Sequence, residues 1–125
     1  MVIYLHGDLG AGKTTLVRAV LHALGYTGRV KSPTYTLLEH YQIAELHLRH
    51  FDLYRFNHAE EWEQAGFRDE FDGRNICLIE WPEKAQGLIP AADIVITFEI
   101  LAESRHLEIH ALTQTGIACL KILPR

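Results

Sequence analysis

The sequence predicts an α/β fold, a mixed β-sheet with flanking helices and an antiparallel C-terminal meander. Three observations predict it. The chain opens as strand, glycine-rich loop and helix; a second wholly apolar run lies at Ile76–Ile79; and the final third alternates in short β-type runs. With 125 residues, 48% of them hydrophobic and 22% charged, the chain reads as one globular domain over residues 1–125. That composition excludes a disordered or fibrous protein.

Each element follows from its pattern. Val2-Ile3-Tyr4-Leu5 is a short apolar run ending at Gly7, which suits a buried strand. From Lys13 the pattern becomes helical: Leu16, Val17, Val20, Leu21 and Leu24 form one stripe, and Gly25 is the stop. Gly28–Thr36 is polar, carries Pro33 and reads as a loop. Tyr35–Tyr41 and Leu46–Tyr54 are strand-like and close enough to pair as a hairpin. Asn57 with Glu60 three residues on is a variant capping box, and Gly66 ends the helix it starts. Asn75–Trp81 is an apolar strand stopped by Pro82. Asp93–Leu101, His106–Leu112 and Ile117–Leu123 complete the tail as three strands joined by short turns.

The loop after the first strand carries the chemistry. Gly7-Asp8-Leu9-Gly10-Ala11-Gly12-Lys13-Thr14 matches G-x-x-x-x-G-K-[ST], and Thr15 continues into the helix. At average composition such a match arises by chance in about 0.4% of chains this long, and here it also lies between a strand and a helix. Glycines let backbone N–H groups converge on an oxyanion, and the helix adds its unsatisfied amides and positive dipole end. Lys13 is then the cation for the β- and γ-phosphates, and Thr14 the hydroxyl for Mg²⁺. The fold is P-loop NTPase-like, and the site takes a nucleoside triphosphate.

Such a site needs a carboxylate near the magnesium, at the end of a strand beside the loop strand. Glu80 follows the fully apolar run Ile76–Ile79, which belongs in the middle of the sheet, and has the better setting; its carboxyl could hold a metal-bound water or orient the attacking one. Asp52 follows Leu46–Phe51 and reaches the metal directly or through water. Ser32-Pro33-Thr34-Tyr35-Thr36 lies where nucleotide switches commonly sit, with Thr34 or Thr36 as a γ-phosphate sensor; an ordinary hydroxyl-capped turn explains the segment equally well. Trp81 either stacks near the nucleotide or fills a core edge, and Trp62 packs or faces a partner. The alternation around His106, Glu108 and His110 puts them on the wetter face of a strand, with no zinc spacing among the 8 histidines.

Charge and composition narrow the partners. Lys plus Arg total 12 against 16 Asp plus Glu, a net charge of −4, with no basic stripe of the kind nucleic-acid modules carry. Cys77 and Cys119 sit in apolar runs and read as reduced core thiols. Asp93 and Glu99 interrupt the most apolar stretch, Ala91–Leu101, and no signal-peptide plan opens the chain. A soluble, cytoplasmic protein without a membrane segment is the expectation. A small P-loop metabolite kinase would carry an arginine-bearing lid, whereas Arg29, Arg55, Arg68 and Arg74 form no cluster. A nucleotide-gated interaction module without significant hydrolysis is the remaining alternative.

HGDLGAGKTTLVRAVLHALG, KSPTYTLLEHY, HFDLYRF and ICLIEWPEK, in this order and spacing, resemble the TsaE family (older name YjeE). The resemblance covers nearly the whole chain, and SPTYT, FDLYR and EWPE are more specific than the phosphate loop. It implies a small bacterial ATPase required for threonylcarbamoyladenosine (t6A) modification of tRNA, binding ATP or ADP at Gly7–Thr14. It also implies that Ser32–Thr36 is switch-like, that Thr14 and Glu80 sit at Mg²⁺, and that Asp52 serves hydrolysis. Trp81 is then close enough to report nucleotide binding. The implied partner is the TsaD–TsaB heterodimer, in which TsaD transfers the threonylcarbamoyl group, so tRNA is met only indirectly. Relative to the family, the chain departs by about thirty leading residues, roughly one strand and helix. An uncovered sheet edge is a pairing template, so self-association is expected.

Overall fold

A computed structural model describes residues 1–121. Strand β1 (Val2–His6), helix α1 (Lys13–Ala23), β2 (Leu38–Ile43), β3 (Leu46–Asp52), α2 (Glu60–Ala65), β4 (Ile76–Glu80), β5 (Ile94–Ile100), β6 (Arg105–Ala111) and α3 (Gln114–Lys121) follow in order. Short 3₁₀ turns at Phe67–Glu70 and Pro82–Ala85 flank β4. The six strands form one sheet in the order β2-β3-β4-β1-β5-β6. β3, β4, β1 and β5 run parallel, while β2 and β6 pair antiparallel at the two edges.

Strand alternation divides the core between the two faces. Ile3, Leu5, Leu48 and Leu78 pack on one side with Val17 and Leu21 of α1. Val2, Tyr4, Phe51, Cys77 and Ile79 pack on the other, against Trp62 of α2, Phe67 and Phe71. Phe51 anchors this second layer, stacked on Phe71 at 5.3 Å and tilted against Trp62 at 5.7 Å. Each such aromatic pair adds ~1 kcal/mol beyond area burial. Trp62 is thereby a packing residue, buried in the core. Because Phe51 is pinned on one face, its neighbours His50 and Asp52 must point to the other, toward α1.

Several boundaries differ from expectation. The turn at 33–36 continues through Leu37, whose φ of +68° is left-handed, so β2 starts at Leu38 rather than Tyr35. Leu37 N–H donates to Pro33 O at 2.7 Å and fixes that turn. Helix α2 starts at Glu60 rather than Asn57, and Glu61, not Glu60, supplies the back-bond. Its Oε2 accepts from the amides of Asn57 at 2.6 Å and His58 at 3.0 Å. Gly66 ends the helix as expected, left-handed at φ +75°.

The tail departs most. β5 and β6 form the expected antiparallel hairpin, with the His106, Glu108 and His110 side chains exposed. The third run, Ile117–Leu123, is not a strand. Residues 117–121 belong to helix α3, and 122–123 lie outside the described residues. Thr113 starts the helix: its hydroxyl accepts from Gly116 N–H at 3.1 Å and donates to Asp93 Oδ1 at 2.7 Å. Gly116 is a buried helical residue. A Cβ there would stand 2.2 Å from the Asp93 carbonyl oxygen, so only glycine admits this close approach. Asp93 Oδ2 also accepts from Val2 N–H at 2.8 Å, tying the starts of β1, β5 and α3 together. The Thr113 bond holds the Asp93 carboxyl below its usual range against the opposing effect of burial. Cys77 is buried in the core, which pushes its thiol up to about 11, while Cys119 is half-buried on α3. Among the described residues no helix is long and apolar enough to cross a membrane.

Candidate functional site

The three central strands β3, β4 and β1 all present their carboxyl ends to one side of the sheet, where open α/β folds gather ligand-binding groups. β1 leads straight into the glycine loop. Gly12 takes φ +105° as the cap of α1, a conformation that costs an L side chain strain and lets the chain turn abruptly into the helix. Ala11 N–H donates to Asp8 O at 3.1 Å, closing the turn before it. Among the described residues no side chain caps α1, and its first turn has no acid. The leading amides are therefore left for an anion.

A cavity of about 250 Å³ opens in front of this helix, lined by Leu9, Gly10, Gly12, Lys13, Thr14, Thr15, Thr34, Asp52, Glu80 and Trp81. The loop, the acids and one hydroxyl of the 32–36 segment thus converge from four places in the chain. Gly7, Asp8 and Ala11 shape the loop from outside the lining, and Ala11 is buried. Of the two threonines considered as sensors, Thr34 lines the cavity, whereas Thr36 turns away and donates to Glu39 Oε1 at 3.0 Å. Ser32 Oγ lies 2.8 Å from Thr34 Oγ1, Pro33 is buried and Tyr35 is 81% exposed beneath the Arg55 guanidinium, 4.6 Å from the ring centre.

Lys13 is buried, with Nζ donating to Gly7 O at 2.5 Å and lying 3.8 Å from the Trp81 ring centre. Burial lowers its pKa, while Glu80, Asp52, Glu83 and Asp8 pull it back up in that order. Trp81 reaches this position through a left-handed backbone, φ +58°, immediately before Pro82. For a bulky residue that conformation costs about 1–3 kcal/mol and occurs where the surroundings require it. Here it lays the indole over the loop lysine.

Asp52 and Glu80 stand in register at the ends of adjacent parallel strands. Both are buried. Burial raises the Asp52 pKa first; the Tyr54 amide, donating to Oδ1 at 2.9 Å, lowers it, and the Glu80 carboxyl raises it again. Thr34 Oγ1 lies 3.4 Å from Asp52 Oδ2. Thr14 Oγ1 donates to Glu80 Oε2 at 3.0 Å. The donors at this point are hydroxyl and carboxylate oxygens, the hard set that Mg²⁺ accepts. Among the described residues no group of three or more His, Cys, Asp and Glu could hold a metal ion alone. A magnesium ion here would complete its shell with phosphate oxygens and water, as such ions do.

One residue of this cluster was not singled out from the sequence. His50, fully buried on β3, lies with Nε2 2.5 Å from Glu80 Oε2. The usable signal was strand alternation, which puts His50 on the face of Asp52 two residues on.

Comparison with known proteins agrees with this architecture. The family model described as "Threonylcarbamoyl adenosine biosynthesis protein TsaE" matches residues 1–108. The tRNA threonylcarbamoyladenosine biosynthesis protein TsaE of Haemophilus influenzae is 52% identical over 116 residues, covering 93% of this chain and 73% of that protein. The Bacillus subtilis protein of the same name is 38% identical over 98 residues, covering 78% of this chain and 61% of its own length. The crystal structure of Bacillus subtilis YdiB superposes with a TM-score of 0.78 at 28% identity, over 96% of this chain and 74% of that one. The expected fold class holds: a P-loop NTPase-like α/β protein with a six-stranded mixed sheet and flanking helices. With the phosphate loop, the two strand-end acids and this likeness in sequence and fold, the chain belongs to the TsaE family.

Proposed function

We propose that this chain binds ATP with Mg²⁺, hydrolyses it slowly, and acts as an accessory protein in tRNA t6A biosynthesis by supporting turnover of a TsaD–TsaB heterodimer. One observation carries the ATPase part: Lys13, Thr14, Asp52 and Glu80 meet in a single cavity in front of an uncapped helix N-terminus. The pathway part rests on membership of the family.

In this reading the loop amides and α1 bind the phosphates, and Lys13 supplies their countercharge. Thr14 and Glu80 hold Mg²⁺, with Asp52 bound directly or through water; the ion, when present, neutralises phosphate charge and polarises the γ-phosphoryl group. The carboxylates of Asp52 and Glu80 are the groups placed to orient an attacking water. Thr34, bonded to Asp52, links the switch-like segment Ser32–Thr36 to that event. Among the described residues no arginine lines the cavity, so the described site lacks the extra positive charge that speeds phosphoryl transfer, and slow intrinsic turnover is expected. The same observation speaks against a metabolite kinase, whose lid would bring arginines over the phosphates. The net negative charge leaves tRNA to the partner.

The test is ATP hydrolysis by the purified chain, alone and with the heterodimer, with Lys13→Ala as the blank. Stimulation by the heterodimer is expected. No hydrolysis in either condition would overturn the ATPase and leave a nucleotide-gated interaction module. Strand β6 is exposed from Arg105 to His110 and ends the sheet, so a second copy would pair there. A single monomeric species in sedimentation at high concentration would count against that self-association.

A further inference from the structure

His50 is a polar side chain in an apolar layer, in register with Leu78 of the neighbouring strand. Its Nε2 lies 2.5 Å from Glu80 Oε2, and Nδ1, also buried, has no hydrogen-bond partner among the described residues. Among the described residues its single polar contact is therefore Glu80. Against an ionised carboxylate, which only accepts, Nε2 must be the donor. A buried imidazole with one nitrogen unpaired carries a desolvation cost that an apolar side chain of similar size would avoid. That cost is coherent only if the bond to Glu80 matters.

The geometry of Glu80 shows what the bond does. His50 and Thr14 both donate to the same oxygen, Oε2, from two different elements, while Oε1 takes no hydrogen bond from a described residue. Two donors on one oxygen fix the torsion of a carboxylate that would otherwise rotate. We propose that His50 is a positioning residue: it locks the Glu80 carboxyl so that its second oxygen is presented to the phosphate cavity and its magnesium. The proposal rests on the ATPase reading above, and it concerns a neighbour behind the ligand set rather than the set itself.

The decisive comparison is His50→Gln against His50→Asn. Both put a carboxamide at position 50, but only glutamine carries its NH2 as far as the imidazole Nε2 and can donate to Glu80. With Asn, kcat is expected to fall about 10–100-fold, the usual effect of losing such a support, with KM for ATP changed less than about threefold. With Gln, kcat should stay within about fivefold of wild type. Calorimetry with a non-hydrolysable ATP analogue gives a readout without turnover. The gain in affinity on adding Mg²⁺ should shrink about tenfold in Asn and persist in Gln, with equal Mg²⁺-free affinities. Equal kcat and equal Mg²⁺ gain in the two variants would overturn the proposal. If the wild type hydrolyses nothing even with the heterodimer, the ATPase reading fails, and the Mg²⁺ comparison still decides the part of His50. Should Asn not fold, ¹⁵N-histidine NMR of the wild type replaces it: the ring proton must be found on Nε2, and one on Nδ1 alone would overturn the assignment.

Discussion

Lys13→Ala is expected to weaken ATP binding about 100-fold, equivalent to ~2.7 kcal/mol. The ammonium is buried, tethered to Gly7 O and covered by the Trp81 indole, so its charge acts in a poorly solvated place where it is worth more than at a surface. Removing it does more than delete one phosphate contact. Asp52 and Glu80 stay behind as buried acids facing the same cavity, and without the lysine they repel the incoming triphosphate. The loop backbone and helix amides are untouched, so the variant should fold with an unchanged circular dichroism spectrum. Calorimetric titration with Mg²⁺–ATP measures the effect. Affinity within threefold of wild type would show that the phosphates lie elsewhere.

Glu80→Gln should separate binding from turnover. Glutamine keeps the volume and an acceptor for Thr14 and His50, which avoids leaving a buried imidazole donor unpaired as alanine would. It removes the negative charge that, in the proposed function, holds the metal and orients water. Hydrolysis is therefore expected to fall at least about 100-fold, while ATP affinity changes less than about fivefold. Steady-state phosphate release and calorimetry on the same preparation give both numbers. Undiminished hydrolysis would assign the water-orienting task to another acid. Asp52, in register on the next strand, is the one to replace next.

The glycine loop was legible because its pattern is local: eight consecutive residues determine the turn that leads from β1 into α1. Glu80 was legible because a fully apolar strand belongs in the middle of a sheet, and β4 indeed pairs with β1. The tail was not. Ile117-Ala118-Cys119-Leu120 is a short apolar run, and periodicity cannot tell a strand from a helix over so few residues. The arbiter was Thr113, whose hydroxyl caps α3, together with a glycine whose purpose is set by the carbonyl of Asp93, the residue just before β5. The start of β2 was misplaced because Leu37 adopts a left-handed backbone that its side chain gives no reason to expect. Strand alternation gave the face of His50 but not its role. Its partner is thirty positions away in sequence, and nothing in a lone histidine names the carboxylate it will meet.

The in-register pairing of β3 with β4 has a consequence for how this site is maintained. Asp52 faces Glu80, and His50 faces Leu78, only in one alignment of the two strands. A slip by one residue would send His50 and Asp52 to the far layer and bring Phe51 into the cavity. The spacing of the acids is thus inherited from sheet alignment and is not set by any loop. Residues outside the cavity, Phe51 and its aromatic neighbours above all, are custodians of that spacing, and damage to them is expected to disturb the two acids as well as the core.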